Sequence, residues 1–149
     1  MTTDDVSIRV YEASDKQRFL EIYDAVMPQS HHFLDKETLL KQRIRVEELL
    51  EEPTSEIFVL EKGEKVVGFA TFVTETAMAE FFIDSQFQKQ GLGGKLMNYI
   101  QKNKPKICLV VYKRNRNAVK FYRHKGFQIQ SQEREKPQQP LYFEMQWKA

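Results

Sequence analysis

A mixed α/β (α+β) domain, with a central sheet of about seven strands flanked by about four helices, is the fold class this sequence predicts. Three observations predict it. Segments that alternate apolar and polar residues are interleaved with segments whose apolar residues recur every three or four positions. Proline and glycine punctuate the boundaries between them, at Pro28, Pro53, Pro105 and Gly126. The 149 residues, 41% hydrophobic and 30% charged, suffice for one core, so residues 1–149 are expected to form a single domain.

Val6, Ile8 and Val10 alternate with Ser7, Arg9 and Tyr11, as in a half-buried first strand. Ser14 and Gln17 make a capping-box pattern before a helix with Phe19, Leu20, Tyr23, Val26 and Met27 on one stripe, and Pro28 is expected to end it. A polar and aromatic link from Gln29 to Leu34 leads to Asp35, the expected N-cap of a second helix. That helix carries Leu39, Leu40, Ile44, Val46, Leu49 and Leu50 until Pro53. Ile57 to Leu60 and Val66 to Val73 read as a hairpin turned around Lys62 and Gly63, and Met78 to Ile83 adds a third strand.

After Gly91, Gly93 and Gly94, the spacing of Leu92, Leu96, Met97 and Ile100 predicts a helix stopped by Pro105. Ile107 to Tyr112 is almost wholly apolar, as in a strand covered on both faces. Asn115 to Lys125 reads as a helix stopped by Gly126, and Phe127 to Gln130 begins another strand. Leu141, Phe143, Met145 and Trp147 alternate with polar neighbours in the last one. The order is βααβββαβαββ.

Several functional classes drop out. The single cysteine, Cys108, has no partner for a disulfide or a CxxC site, and its place mid-strand makes it a packing residue rather than a nucleophile. Three scattered histidines do not make a metal site, so no metal is expected. No apolar run approaches the roughly 20 residues that span a bilayer, and the start Met1-Thr2-Thr3-Asp4-Asp5 lacks the order of a signal peptide. A cytoplasmic protein without a membrane partner is expected.

Charge is unevenly distributed. The 48 residues from Ser85 to Gln132 hold 11 Lys or Arg and no acid, while the other 101 hold 12 basic and 21 acidic residues. One segment is therefore polarised toward anions. It begins with Gln88-Lys89-Gln90-Gly91-Leu92-Gly93-Gly94, a glycine-rich turn from strand to helix. Glycines let backbone approach a ligand, and the free N–H groups of a helix's first turn aim partial positive charge at an anion. The turn is neither GxxxxGK[ST] nor GxGxxG, which removes the best support for ATPase and dinucleotide readings.

A second constellation runs from Asn115 to Phe127. Together the two resemble the GNAT superfamily of acyl-CoA-dependent N-acyltransferases. Gln88-x-x-Gly91-x-Gly93 matches its Q/R-x-x-G-x-G/A pyrophosphate loop, and Asn115-x-x-Ala118-x-x-Phe121-Tyr122-x-x-x-Gly126-Phe127 matches its second signature. The element order matches over essentially the whole chain. Ser30-His31-His32-Phe33-Leu34 is similar to an element of a group of small bacterial members.

The resemblance implies acetyl-CoA as cosubstrate and an amine, of a small molecule or a protein, as acceptor. It implies that the strand of Phe81 to Ile83 splays from that of Ile107 to Tyr112, with pantetheine in the wedge. Phe81 and Ile83 then act through backbone groups, one N–H polarising the thioester carbonyl. The amides of Lys89, Gln90, Gly91, Leu92, Gly93 and Gly94 hold the pyrophosphate, with Lys89, Lys95 and Arg114 or Arg116 as further phosphate contacts. Asn115 and Ala118 belong to the same cofactor side, although Asn115 also suits a helix cap. A homodimer is a further implication of the family.

Direct transfer needs a neutral amine, a polarised carbonyl and a proton for the departing thiolate. Tyr122 matches the family's proton donor, and a phenol with a reference pKa of about 10 keeps its proton at neutral pH. Glu80, beside the oxyanion strand, is one candidate acceptor of the amine's proton. Alternation puts it with Phe82, opposite Phe81 and Ile83, so its access to the acceptor depends on a bulge. His31, whose imidazole titrates at about 6.5, is the other candidate.

Two alternatives remain: a catalytically silent CoA-binding module, and a nucleic-acid-binding domain using Lys113, Arg114, Arg116, Lys120, Arg123 and Lys125 with interleaved Tyr112, Phe121 and Tyr122. The second leaves the Gln88 to Gly94 turn unexplained, and the acidic remainder of the chain repels a long polyanion, so no nucleic-acid partner is expected.

Overall fold

Alternation and helical spacing become eleven elements in the predicted order. They are β1 (Val6–Val10), α1 (Lys16–Ser30), α2 (Lys36–Glu51), β2 (Glu56–Lys62), β3 (Lys65–Phe72), β4 (Met78–Ile83), α3 (Leu92–Asn103), β5 (Lys106–Tyr112), α4 (Arg116–His124), β6 (Gln128–Glu133) and β7 (Tyr142–Lys148). The computed structural model describes residues 5–149, so the reading of Met1 to Asp4 as a start without a signal peptide lies outside the described residues.

The strands divide into two antiparallel sheets, β1-β2-β3-β4 and β5-β7-β6. β4 and β5 meet through an isolated parallel bridge between Ala77 and Cys108, where the Cys108 N–H donates to the Thr76 carbonyl at 2.8 Å. Past this bridge no ladder joins them among the described residues, and the two strands run on in separate sheets. The β4 residue Ala79 is extra in the register with β3, since Thr71 pairs with Glu80 but Phe72 with Met78. A bulge of this kind bends its strand and interrupts pairing.

Two apolar layers cover the sheets. Phe19, Ile22 and Tyr23 of α1 and Val46 and Leu50 of α2 pack on Val59, Phe69 and Phe82. Leu96, Met97 and Ile100 of α3 and Tyr122 of α4 pack on Leu60, Phe72, Ile107 and Met145 from the other side. Trp147 packs against this second layer, its ring 3.3 Å from where a Cβ on Gly126 would be. Gly126 takes φ +93 and ends α4 as expected, with the Phe127 N–H returning to the Tyr122 carbonyl at 3.0 Å.

Three expectations are corrected. Helix α1 does not stop at Pro28 but runs through it to Ser30. The proline falls in the last turn, where the missing N–H strands only the carbonyl of Asp24 on the exposed side. The first cap is not Ser14 with Gln17. Glu12 and Asp15 cap each other around a short 3-10 turn, and buried Asp15 also holds Arg9 through two hydrogen bonds of 2.8 Å.

In α2 only Val46 and Leu50 are buried, while Leu40 and Ile44 are 61% and 48% exposed. At about 100° per residue these two lie well over 100° around the helix from Val46. Strand β5 is covered on one face only. Ile107, Leu109 and Val111 are buried, but Val110 is 65% exposed. Its partner β7 is antiparallel, and one face of their sheet carries no helix.

Candidate active site

The bulge in β4 decides where its side chains go. Met78 and Ile83 enter the layer under α3 and α4 and Phe81 packs against it, whereas Phe82 enters the layer under α1 and α2. Glu80 shares the Phe82 face and pairs with Thr71. Its N–H donates to the Thr71 hydroxyl oxygen at 2.9 Å. The carboxyl is half-buried, and burial raises its pKa to about 8 against the opposing pull of Arg45 on α2. Desolvation thus keeps at neutral pH a proton that an exposed glutamate would have lost.

Tyr122 stands on the inward face of α4, with its ring 5.5 Å from those of Phe121 and Phe127 and 6.2 Å from that of Phe81. Its pKa is raised, first by burial and then by the negative charge of Glu80. The phenol therefore stays protonated throughout the neutral range. Glu80 and Tyr122, far apart in sequence, are electrostatic neighbours where β4 leaves β5.

Downstream of β4 the chain is tied before it turns. Asp84 accepts from the Arg18 guanidinium at 2.6 Å and from the Gln86 N–H at 3.0 Å, while its own N–H donates to the Val67 carbonyl at 2.7 Å. The Gln88 side-chain amide donates to the Ile83 carbonyl at 3.0 Å, and the Gln90 amide oxygen accepts from Lys62 at 2.6 Å. Lys89 and Gly91 both take left-handed conformations, φ 63 and 78. Such strain in a non-glycine residue persists where the surroundings hold it.

Gly91 then caps α3, and the N–H groups of Leu92, Gly93 and Gly94 lack partners within the helix, as every first turn does. The Leu92 side chain is buried, so only its backbone faces outward. Gly93 lies against Phe121 and Ile83, where a Cβ would be 3.6 and 3.7 Å from their carbons. The turn, the end of β4 and α4 are thereby brought together as one corner, with Lys89 and Lys95 exposed beside it.

Asn115 occupies the N-cap of α4, but its side chain makes no capping hydrogen bond. Its half-buried amide is thus not consumed by the helix, and Ala118 packs against the α3–α4 layer. The outer face of α4 is cationic. Lys113, Arg116, Lys120 and Arg123 surround a shallow cleft of about 350 Å³ with Val119.

His31 is placed elsewhere. Its Nδ1 is 2.6 Å from the Ser30 hydroxyl, and its ring stacks at 5.9 Å on Phe33 and meets Tyr112 edge-on at 5.7 Å. Burial lowers its pKa to about 4, so the imidazole is neutral. Gln42 of α2 donates to the Tyr112 hydroxyl at 3.0 Å, and Arg114 lies over the Phe33 ring at 5.1 Å. This cluster fastens the α1–α2 link to the end of β5.

Cys108 is half-buried, with the Gln146 amide 3.7 Å from its sulfur. Among the described residues no group of three or more His, Cys, Asp or Glu is placed to hold a metal, and no helix is long and apolar enough to cross a membrane. Sequence reasoning missed three supports of the site: Thr71, the Arg18–Asp84 pair and the Gln42–Tyr112 bond. The one signal for Thr71 was a hydroxyl inside the apolar run Val66 to Phe72.

Comparisons with known proteins bear on the family and the fold. A family model for an acetyltransferase (GNAT) domain matches residues 53–129, a little over half of the chain. The peptidyl-lysine N-acetyltransferase YiaC of Escherichia coli is 33% identical over 72 residues, 48% of this chain and 49% of that protein. The chain thus aligns with about half the length of this curated relative. Among solved structures, apo YjaB of Escherichia coli has a TM-score of 0.75 at 22% identity, covering 96% of this chain and 97% of that one. The PaiA N-acetyltransferase of Thermoplasma acidophilum, in complex with coenzyme A, has a TM-score of 0.73 at 13% identity, covering 97% and 99%.

Proposed function

The chain belongs to the GNAT acetyltransferase family, and from that premise we propose that it transfers the acetyl group of acetyl-CoA to a primary amine by direct attack. The observation that carries this reading is the packing of Tyr122 against Phe81, the residue after Glu80, and of its neighbour Phe121 against Gly93 of the Gln88 to Gly94 turn. A carboxyl poised near neutral pH and a protonated phenol are the two proton carriers the reaction needs.

The pyrophosphate binds the free N–H groups from Lys89 to Gly94, and pantetheine enters the wedge along Phe81 to Ile83. Ionised Glu80 takes a proton from the incoming ammonium. The neutral amine attacks the thioester carbonyl, forming the C–N bond and an oxyanion that a backbone N–H of Phe81 or Ile83 stabilises. Collapse breaks the C–S bond, and the thiolate takes the Tyr122 proton. The proton shed by the new amide nitrogen restores the phenol, and Glu80 releases the ammonium's proton to solvent to regain its carboxylate.

The acceptor side is the α1/α2 face of β4, together with the open face of β5 that exposes Val110. A lysine side chain of a polypeptide, the acceptor in the name of the relative YiaC, is the first amine to test.

The test is calorimetric titration with acetyl-CoA, followed by an amine and lysine-peptide screen. Near-stoichiometric binding and CoA release are expected, and Tyr122→Phe should lower kcat by roughly 100-fold with acetyl-CoA affinity retained. Absence of acetyl-CoA binding overturns the transferase reading. Binding without turnover by any amine favours a silent CoA-binding module.

A further inference from the structure

Thr71 is an anomaly in β3. It is fully buried (0% exposed) between Ala70 and Phe72, where a hydroxyl carries a desolvation cost unless it is hydrogen-bonded. It is bonded, and to one group in particular: its oxygen accepts the N–H of Glu80 at 2.9 Å. The pairing of Thr71 with Glu80 is the last before the register slips at Ala79. At that slip the ladder is locally disrupted, and a side-chain oxygen from β3 takes up a backbone donor of β4.

From this contact we propose that Thr71 is a positioning residue for the proton-accepting Glu80, a role that rests on the function proposed above. The bond holds the Ala79–Glu80 peptide plane, and with it the direction of the Glu80 Cα–Cβ bond. It thereby fixes where the Glu80 side chain leaves β4, a carboxylate whose charge acts on Tyr23 of α1 and Tyr122 of α4 and is drawn to Arg45 of α2. Loss of the hydroxyl frees this peptide plane while leaving the acetyl-CoA turn, which is tied separately through Asp84 and Gln88, in place.

Threonine and valine have nearly the same shape, so Thr71→Val removes the acceptor alone, and Thr71→Ser restores it. Steady-state kinetics of T71V, T71S, E80Q and the double variant T71V/E80Q test the idea. The expected result is a kcat about 10-fold lower for T71V with the acetyl-CoA KM within about 2-fold of the parent, and recovery of most of kcat in T71S. In the E80Q background T71V should cost nothing further, because a residue acting only through Glu80 has no route left. A wild-type kcat in T71V, or an equal loss in both backgrounds, overturns the positioning role while leaving the base assignment intact. A wild-type kcat in E80Q instead removes the base assignment, and the positioning role with it. Should T71V fold poorly, T71A compared with T71S supplies the same contrast.

Discussion

Glu80 on β4 and Tyr122 on α4 interact, the carboxylate's charge adding to burial in raising the phenol's pKa. The pair is asymmetric in a useful way. The group proposed to accept a proton titrates at about pH 8, and the group proposed to donate one remains protonated well beyond that. Residues from both apolar layers converge there, so each proton carrier is held by a different part of the core.

The pH dependence of turnover follows from Glu80. The rate constant kcat/KM should rise from pH 6 and level off above pH 8, as the carboxyl with a pKa of about 8 becomes ionised. Glu80→Gln should lower the plateau by roughly 100-fold and abolish this limb. A pH–rate profile of the two proteins with one amine checks both.

Stability carries the opposite sign. Because the folded-state pKa of Glu80 is raised from 4.5 to about 8, the native protein holds a proton that the unfolded chain releases between these values. The stability contributed by that proton is present below pH 4.5 and is lost as pH rises to about 8. Glu80→Gln should therefore raise Tm more at pH 8 than at pH 5. Thermal melts at the two pH values decide it.

His31 behaves in reverse. Burial depresses its pKa from 6.5 to about 4, so its contribution is present above pH 6.5 and is lost as pH falls toward 4. His31→Gln should flatten the decline in urea stability over this window. If His31 were the base instead of Glu80, the same variant would abolish turnover at pH 8 while E80Q retained it.

Two of the three glycines of the Gln88 to Gly94 turn should respond differently. Gly91 has φ +78 with open space around its Cβ position, so Gly91→Ala meets backbone strain of about 1–2 kcal/mol and no clash. A lower Tm and a several-fold higher acetyl-CoA KM are expected. Gly93→Ala would make only ordinary contacts at 3.6 Å or more, directed at Phe121 and Ile83, and should leave Tm within a few degrees. Melting and acetyl-CoA titration of both variants make the comparison.

Much of the fold was legible because its signals are local. The Val6 to Val10 alternation, Asp35 as a cap whose carboxylate accepts the Thr38 N–H at 2.8 Å, and Gly126 at φ +93 each depend on a few neighbouring residues. Pro28 misled, and the exposure of Leu40 and Ile44 went unmarked, for the complementary reason. Whether a proline is tolerated or an apolar residue is covered depends on what packs opposite, and periodicity is silent on that. The covered-on-both-faces reading of Ile107 to Tyr112 failed in the same way, since no helix lies over Val110.

By itself the sequence determined the element order and the glycine-rich turn into α3, which are properties of spacing along one chain, while Tyr122 as proton-donor candidate came from the resemblance of the Asn115 to Phe127 segment to a family signature. Only the tertiary structure decided that Glu80 stands beside Tyr122 while His31 packs on Tyr112, and that a hydroxyl from β3 holds the bulge. The extra residue at Ala79 has no mark in composition or period. A bulge exists only relative to the partner strand, whose register is set by packing across the whole sheet.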